Sequence, residues 1–142
     1  MLRRLTSTSS TWATVPLRLS LGVIFIGHGA QKVFGSFNGP GLRGFTSFPA
    51  PFPFMRPAWL WMGMAAFAEL IGGVLLLLGF LTRLGALLIV CVMLTAIIGV
   101  LWPAFFAPAG MELAVALLGS ALGLLIAGGG QASIDRMIRG RR

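Results

Sequence analysis

Three polar side chains, His28, Gln31 and Lys32, lie close together near the start of this otherwise apolar chain. Their spacing of i, i+3 and i+4 places them on one face of a helix. A fourth polar residue, Glu69, lies in the middle of a second apolar stretch. An imidazole, an amide, an ammonium and a carboxylate could together hydrogen-bond a small oxygen-bearing ligand or relay protons. We therefore take these four residues as the candidate ligand-binding site.

The same residues also suit a purely structural role. An ionisable side chain inside an apolar helix costs about 2.5–3.5 kcal/mol on insertion scales, so it should face the protein interior and have a partner. If the two stretches pack as an antiparallel hairpin, Glu69 could meet His28 directly or through water, and Arg18 offers a second partner. A salt bridge and hydrogen-bond clasp that fixes helix register fits the sequence as well as a functional site does.

Composition excludes several classes of site. The chain has one cysteine, Cys91, and one histidine. It therefore cannot build a disulfide, an iron–sulfur ligand set or a bis-histidine haem site alone, and we expect neither a metal site nor a built-in cofactor. The net charge is +8, but the basic residues lie at the ends of apolar segments, so we expect no nucleic-acid partner. No residue is assigned as catalytic, and whether the chain is an enzyme stays open.

The elements that must position these residues are membrane-spanning helices. Of the 142 residues, 57% are apolar and 10% are charged, a composition that belongs in lipid. Four apolar stretches, each about the length that crosses ~30 Å of hydrocarbon, lie at residues 15–34, 58–80, 82–102 and 111–129. We predict an all-α transmembrane four-helix bundle that forms one domain over residues 1–142.

Two segments lie outside the predicted spans. Residues 35–57 hold five proline and five phenylalanine residues, which prevents a long helix. Because phenylalanine is poorly placed in water, we expect this loop to fold onto the mouth of the bundle or dip into the membrane interface as a lid. The basic tail, residues 131–142, suits either a short helix on the membrane surface or a frayed stop signal.

Basic residues divide unevenly between the two ends of the predicted bundle. With four spans both termini share a side, and lysine and arginine in short loops are retained in the cytoplasm. Three basic residues lie on the side of the loop at 35–57, namely Lys32, Arg43 and Arg56. The side that holds both termini has eight, namely Arg3, Arg4, Arg18, Arg83, Arg136, Arg139, Arg141 and Arg142. We predict that both termini are cytoplasmic and that the Phe/Pro-rich loop is external.

A possible packing motif lies in the fourth span. Gly119 and Gly123 form G-x-x-x-G, which lets two helix backbones approach closely. We expect this motif to make a contact within the bundle, with a homodimer contact as the alternative.

Short motifs follow each other in an order typical of one family. They are Gly-His-Gly-Ala-Gln-Lys at 27–32, Asn-Gly-Pro-Gly-Leu at 38–42, Ala-Glu-Leu-Ile-Gly-Gly at 68–73 with Leu-Gly-Phe-Leu-Thr-Arg at 78–83, and Gly-Gly-Gly-Gln-Ala-Ser-Ile-Asp at 128–135. In this order the chain resembles the DoxX family of small bacterial four-span membrane proteins. Relatives often carry a histidine before Trp-Pro, where this chain has Leu101. The matching positions are His28, Gln31, Lys32, Glu69, Arg83, Glu112 and Asp135.

The resemblance implies a redox association rather than a reaction. The family is related to the DoxD subunit of a thiosulfate:quinone oxidoreductase, and members are reported in membrane-associated oxidoreductase complexes. It implies an accessory or quinone-interacting subunit, multi-pass in the bacterial inner (cytoplasmic) membrane, with oxidoreductase subunits as partners and a diffusible quinone as cofactor. Structural or orienting roles are assigned to Arg18, Arg83, Glu112 and Asp135.

Two other functions remain open. The first is a small proton or solute transporter, in which homo-oligomerisation could build the pathway. The second is a membrane scaffold without chemistry, in which the polar residues only clasp the bundle and the basic tail holds anionic lipid or a partner.

Overall fold

A computed structural model describes residues 6, 8–9, 11–106 and 110–140. The predicted orientation also counts Arg3, Arg4, Arg141 and Arg142, which lie outside these residues. Across the described ranges the chain forms helices, turns and loops without any strand. The all-α prediction is confirmed.

Six helices follow each other along the described chain. They are α1 (Thr14–Phe34), α2 (Gly41–Thr46), α3 (Ala58–Leu78), α4 (Thr82–Ala96), α5 (Glu112–Ala127) and α6 (Ile134–Gly140). A 3-10 turn at Ser36–Asn38 precedes α2, and α4 continues as a π-helical segment over Ile97–Leu101. Helices α1, α3 and α5, and α4 taken together with its π-helical continuation to Leu101, begin and end within two residues of the predicted spans.

Two of the long helices are clearly suited to a membrane. Ala58–Leu78 and the continuous stretch Thr82–Leu101 are long and apolar enough to cross a bilayer. Helix α5 is also apolar but shorter. Helix α1 matches α3 in length, but it carries Arg18, His28, Gln31 and Lys32. Length and composition therefore establish two membrane-length apolar helices.

Glycine residues end two of the long helices. Gly35 follows α1 with φ of 72° and Gly79 follows α3 with φ of 64°, a left-handed conformation that costs glycine little. The N–H groups of Gly79 and Phe80 donate to the carbonyls of Leu76 and Leu75 at 3.1 Å, which satisfies the last carbonyls of α3. The chain then turns at once into α4.

The four long helices pack side by side in a ring. Helix α3 contacts α1 and α4, and α5 contacts α4 and, less extensively, α1. The buried core between them is apolar, and it consists of Leu21, Phe25, Leu76, Ala86, Ile89, Val90, Met93, Ala121 and Leu124. Close van der Waals packing of these side chains holds the ring together, since membrane lipid would shield them from water equally well.

Helices α1 and α3 run antiparallel at backbone contact. A Cβ atom added to Gly29 would lie 2.6 Å from Leu70 Cα, and one added to Gly22 would lie 2.9 Å from Leu77 Cα. Gly119 and Gly123 behave differently, because no atom of a neighbouring element in the described ranges lies within 4 Å of a Cβ placed on either. The expected contact within the bundle is therefore not made by the G-x-x-x-G motif.

The segment between α1 and α3 folds onto one end of the ring, which we call the mouth end. Helix α2 packs against α1 and α3, and Pro51 and Phe52 lie next to Gly99 of the π-helical segment. Exposed phenylalanine side chains at positions 37, 48 and 54 project from it. This packing agrees with the expectation that the loop covers the bundle mouth.

The tail lies at the opposite end, which we call the tail end. Asp135 is 1% exposed, and its N–H donates to the Gly79 carbonyl at 3.0 Å. Over residues 131–140 the tail is therefore not a frayed stop signal, because α6 is a short helix anchored to the turn between α3 and α4.

Candidate functional site

A direct ion pair joins the mouth end of α1 to the middle of α3. Lys32 Nζ lies 2.5 Å from Glu69 Oε1 and 2.6 Å from Glu69 Oε2. The Glu69 side chain is 4% exposed and the Lys32 side chain is 21% exposed. Because the pair is buried, each charge strengthens the hydrogen bonds of the other. Removing either partner would leave an uncompensated charge in a poorly hydrated place, which is energetically costly.

An aromatic ring covers this pair. The ring centroid of Phe45, on α2, lies 5.0 Å from Lys32 Nζ, within the range of a cation–π contact. The loop thus contributes directly to the environment of the ammonium group. Sequence reasoning missed Phe45, because five phenylalanines in one loop gave no signal as to which would reach the bundle.

The antiparallel register explains why Lys32 reaches Glu69. Gly29 lies against Leu70. Because the two helices run antiparallel, the turn of α1 that follows Gly29 faces the residues of α3 that precede Leu70. Lys32 is three residues beyond Gly29 and therefore lies on nearly the same face of α1. Its long stem carries the ammonium across to the carboxylate.

His28 and Gln31 face a neighbouring surface of α1. They line a shallow groove of about 330 Å³ together with Gly27 and Phe37. His28 is exposed and Gln31 is half-buried. The side chain of His28 points about 100° away from Gly29 around the helix axis, so the expected direct contact between His28 and Glu69 is not formed, and Lys32 takes that place.

A family model described as DoxX matches residues 13–102, well over half of the chain. The chain belongs to the DoxX family. No curated protein and no solved structure matches the sequence. Family membership together with the membrane-length apolar helices indicates a membrane protein.

The matched region of this DoxX chain contains the whole candidate site. It runs from the residue before α1 to the residue after the π-helical segment. His28, Gln31, Lys32 and Glu69 all lie within it, and so does Phe45. Helices α5 and α6, with Glu112 and Asp135, follow the matched residues.

Arg18 lies far from the site of this DoxX chain. Its side chain is 3% exposed at the tail end, and its Nη2 donates to the Ala132 carbonyl at 2.5 Å. Because Gly22 already faces Leu77, Arg18 lies beyond Leu77, about 18 Å from Glu69 along the axis at ~1.5 Å per residue. The expectation that Arg18 partners Glu69 is wrong.

The other charged residues that the sequence singled out, Asp135, Arg83 and Glu112, lie at helix ends. Asp135 accepts hydrogen bonds from the N–H groups of Leu81 and Thr82 at 2.8 and 2.9 Å and from Thr82 Oγ1 at 2.8 Å. Arg83 Nη2 donates to the Ile126 carbonyl at the end of α5 at 2.7 Å, and Glu112 begins α5. Each position suits the helix dipole or the free backbone groups of a helix end.

Two kinds of surface therefore meet on one turn of α1. Toward α3 lies a buried ion pair that holds its geometry. Toward the groove lie an imidazole and an amide, each of which can donate and accept hydrogen bonds. This arrangement can bind a carbonyl or hydroxyl group in the groove while the ion pair keeps α1 in place.

Proposed function

We propose that the chain is a four-span protein of the bacterial inner membrane with both termini cytoplasmic. The proposal is supported by the side-by-side packing of α1 and α5 with the two membrane-length helices, and by the length of α1, which at ~1.5 Å per residue is about 31 Å. Among the described basic residues, Arg18, Arg83, Arg136 and Arg139 belong to the tail end and Lys32, Arg43 and Arg56 to the mouth end. The positive-inside rule then directs the tail end to the cytoplasm.

We further propose that the chain serves as an accessory, quinone-interacting subunit of a membrane oxidoreductase complex. One observation supports this most: His28 and Gln31 line the same groove beside the buried Lys32–Glu69 pair. A quinone headgroup presents carbonyl oxygens that accept hydrogen bonds, and its reduced form presents hydroxyl groups that donate them. The imidazole and amide can serve both forms.

The chemistry expected at this groove is proton transfer and binding, and electron transfer belongs to a partner. Reduction of a quinone consumes two electrons and two protons, and the chain has too few cysteine and histidine residues to hold an iron–sulfur cluster or a bis-histidine haem of its own. The electrons therefore come from a cofactor of a partner subunit. His28, exposed beside the groove, is the residue suited to exchange a proton with the bound headgroup.

Co-purification tests both parts of the proposal. The chain is purified from its native membrane in mild detergent, and co-purifying proteins and quinone are identified by mass spectrometry for the wild type, His28→Ala and Glu69→Gln. Ser20→Ala is the matched control, because Ser20 is exposed on the same helix and its hydroxyl donates to the carbonyls of its own helix. We expect oxidoreductase subunits and quinone with the wild type and the control, and loss of quinone with the other two.

A membrane scaffold is the second candidate function, and the ion pair favours it. Lys32 and Glu69 bridge α1 and α3 directly, as a clasp would. A scaffold predicts that the purified chain carries no quinone or redox partner, and that Glu69→Gln causes a graded loss of stability without loss of a bound molecule.

A further inference from the structure

A long apolar groove runs along the outer face of α3, apart from the candidate site. It has a volume of about 660 Å³, and one wall is formed by α2. On α3 it extends from Trp59 to Ile71, about 18 Å at ~1.5 Å per residue. This is more than half the thickness of a ~30 Å hydrocarbon core. The dimensions suit a linear hydrocarbon chain lying parallel to the helix.

The groove carries its charge at one end. Arg43 of α2 is exposed and is the charged residue among those that line it, as far as the described chain extends. The neighbouring Thr46 hydroxyl already donates to the Leu42 carbonyl at 2.8 Å, so Arg43 supplies the open donor groups. Trp59, at the same end, is 61% exposed, as is usual for tryptophan at the level of lipid headgroups.

A glycine keeps the middle of the groove open. A Cβ atom added to Gly63 would meet only Thr46 Cγ2, at 3.7 Å. A larger side chain at this position would project between α2 and α3 and occupy the space. The groove is therefore a consequence of a small residue where the two helices meet.

We propose that this groove binds an anionic phospholipid, with an acyl chain along α3 and the phosphate on Arg43. Guanidinium groups bind phosphate through paired, charge-assisted hydrogen bonds, and basic residues beside membrane helices select anionic headgroups. A quinone tail would fill the apolar part but would leave the arginine without a counter-charge. The positive charge of Arg43 therefore favours an anionic phospholipid as the occupant of the groove.

Lipid retention in detergent tests this assignment. The purified chain is exchanged into micelles containing equal amounts of phosphatidylglycerol and phosphatidylcholine, and bound lipid is counted by native mass spectrometry. We expect the wild type to retain phosphatidylglycerol preferentially, Arg43→Gln to lower that preference about tenfold, and Gly63→Leu to reduce retention of both lipids. Arg56→Gln is the matched control, because Arg56 is an exposed arginine of the same loop that does not line the groove.

Several outcomes would overturn the proposal. They are equal retention of the two lipids by the wild type, equal effects of Arg43→Gln and Arg56→Gln, and recovery of quinone that Gly63→Leu displaces while phospholipid is unaffected. If Gly63→Leu does not fold, the comparison of the two arginine variants decides alone. Loss of quinone at the His28 groove would leave this result unchanged, because the two grooves share no lining residue.

Discussion

At the scale of single residues, the Lys32–Glu69 pair is the feature with the largest energetic consequence. Glu69 is 4% exposed on its side chain, so either partner left alone would keep a poorly hydrated group without its counter-charge. We expect Glu69→Gln and Lys32→Met each to lower the free energy of unfolding by about 2–3 kcal/mol, since Lys32 retains some contact with solvent. The double variant should lose less than the sum, because neither change then leaves an unpaired charge.

Thermal or denaturant unfolding in detergent measures the stability of the two single variants and the double variant, which together form a double-mutant cycle. Ser20→Ala provides the baseline for a polar substitution on α1 that breaks no contact between helices. Additive effects of the two single changes would contradict the account of a coupled pair.

The sequence identified the residues of the site better than their partners. Helical spacing predicted that His28, Gln31 and Lys32 share one face, because that depends only on 3.6 residues per turn. In the structure Lys32 faces α3, and His28 and Gln31 line the neighbouring groove. Which of them would meet Glu69 depends on the face of α1 that packs on α3. Gly22 and Gly29 set that face, and no local pattern distinguished these glycines from Gly27, Gly119 or Gly123.

At the scale of helices, close packing of α1 on α3 depends on glycine. A Cβ atom on Gly29 would lie 2.6 Å from the α3 backbone, so Gly29→Ala must push two helices apart. We expect a loss of about 1–3 kcal/mol in the free energy of unfolding, together with weakening of the Lys32–Glu69 pair one turn away. Unfolding in detergent measures the loss.

Gly119→Ala is the matched control for this prediction. It makes the same chemical change within a long helix, where no atom of another element in the described part of the chain lies within 4 Å of the new Cβ. Its stability should be unchanged or slightly raised, because alanine favours the helix. Equal destabilisation by the two variants would show that loss of glycine itself, rather than helix contact, was responsible.

The second helix-scale prediction concerns the anchor of α6. Asp135 accepts three hydrogen bonds from Leu81 and Thr82 at the start of α4. Asp135→Ala should cost about 2 kcal/mol and release the tail to protease, because it leaves those donors buried without an acceptor. Asp135→Asn should cost less, since its amide oxygen can still accept.

Limited proteolysis followed by mass spectrometry measures the rate at which the tail is cleaved. Met137→Ala, an exposed change on the same helix, controls for altered sequence in the tail. An unchanged cleavage rate in Asp135→Ala would rule out the anchoring role.

At the scale of the whole molecule, the hydropathy of the sequence predicted most of the fold. The lengths of the apolar stretches predicted where the long helices lie, because a helix that crosses a bilayer needs about 20 apolar residues and must satisfy its own backbone hydrogen bonds. The position of the tail could not be predicted in the same way, since Asp135 is paired across 53 residues with Thr82. Such a contact leaves no periodic pattern in the sequence.

The proposed orientation predicts which end of the bundle is reached from outside the cell. In a Cys91→Ser background, Ser47→Cys introduces an exposed thiol at the mouth end and Ala132→Cys introduces one at the tail end. On intact cells a membrane-impermeant maleimide should label the thiol at position 47 and leave the thiol at position 132 unlabelled. After the membrane is opened, it should label both. Labelling of position 132 alone on intact cells would show that the orientation is the opposite of the proposed one.

The central claim is that a quinone headgroup binds in the groove of His28 and Gln31, and photolabelling tests it most directly. The chain is illuminated in its native membrane with a photoreactive quinone analogue, and the modified peptides are mapped by mass spectrometry. We predict labelling within residues 23–37, reduced at least about tenfold by His28→Ala and unaffected by Ser20→Ala. Labelling along α3 between Trp59 and Ile71, or labelling of residues 23–37 that does not depend on His28, would contradict the claim.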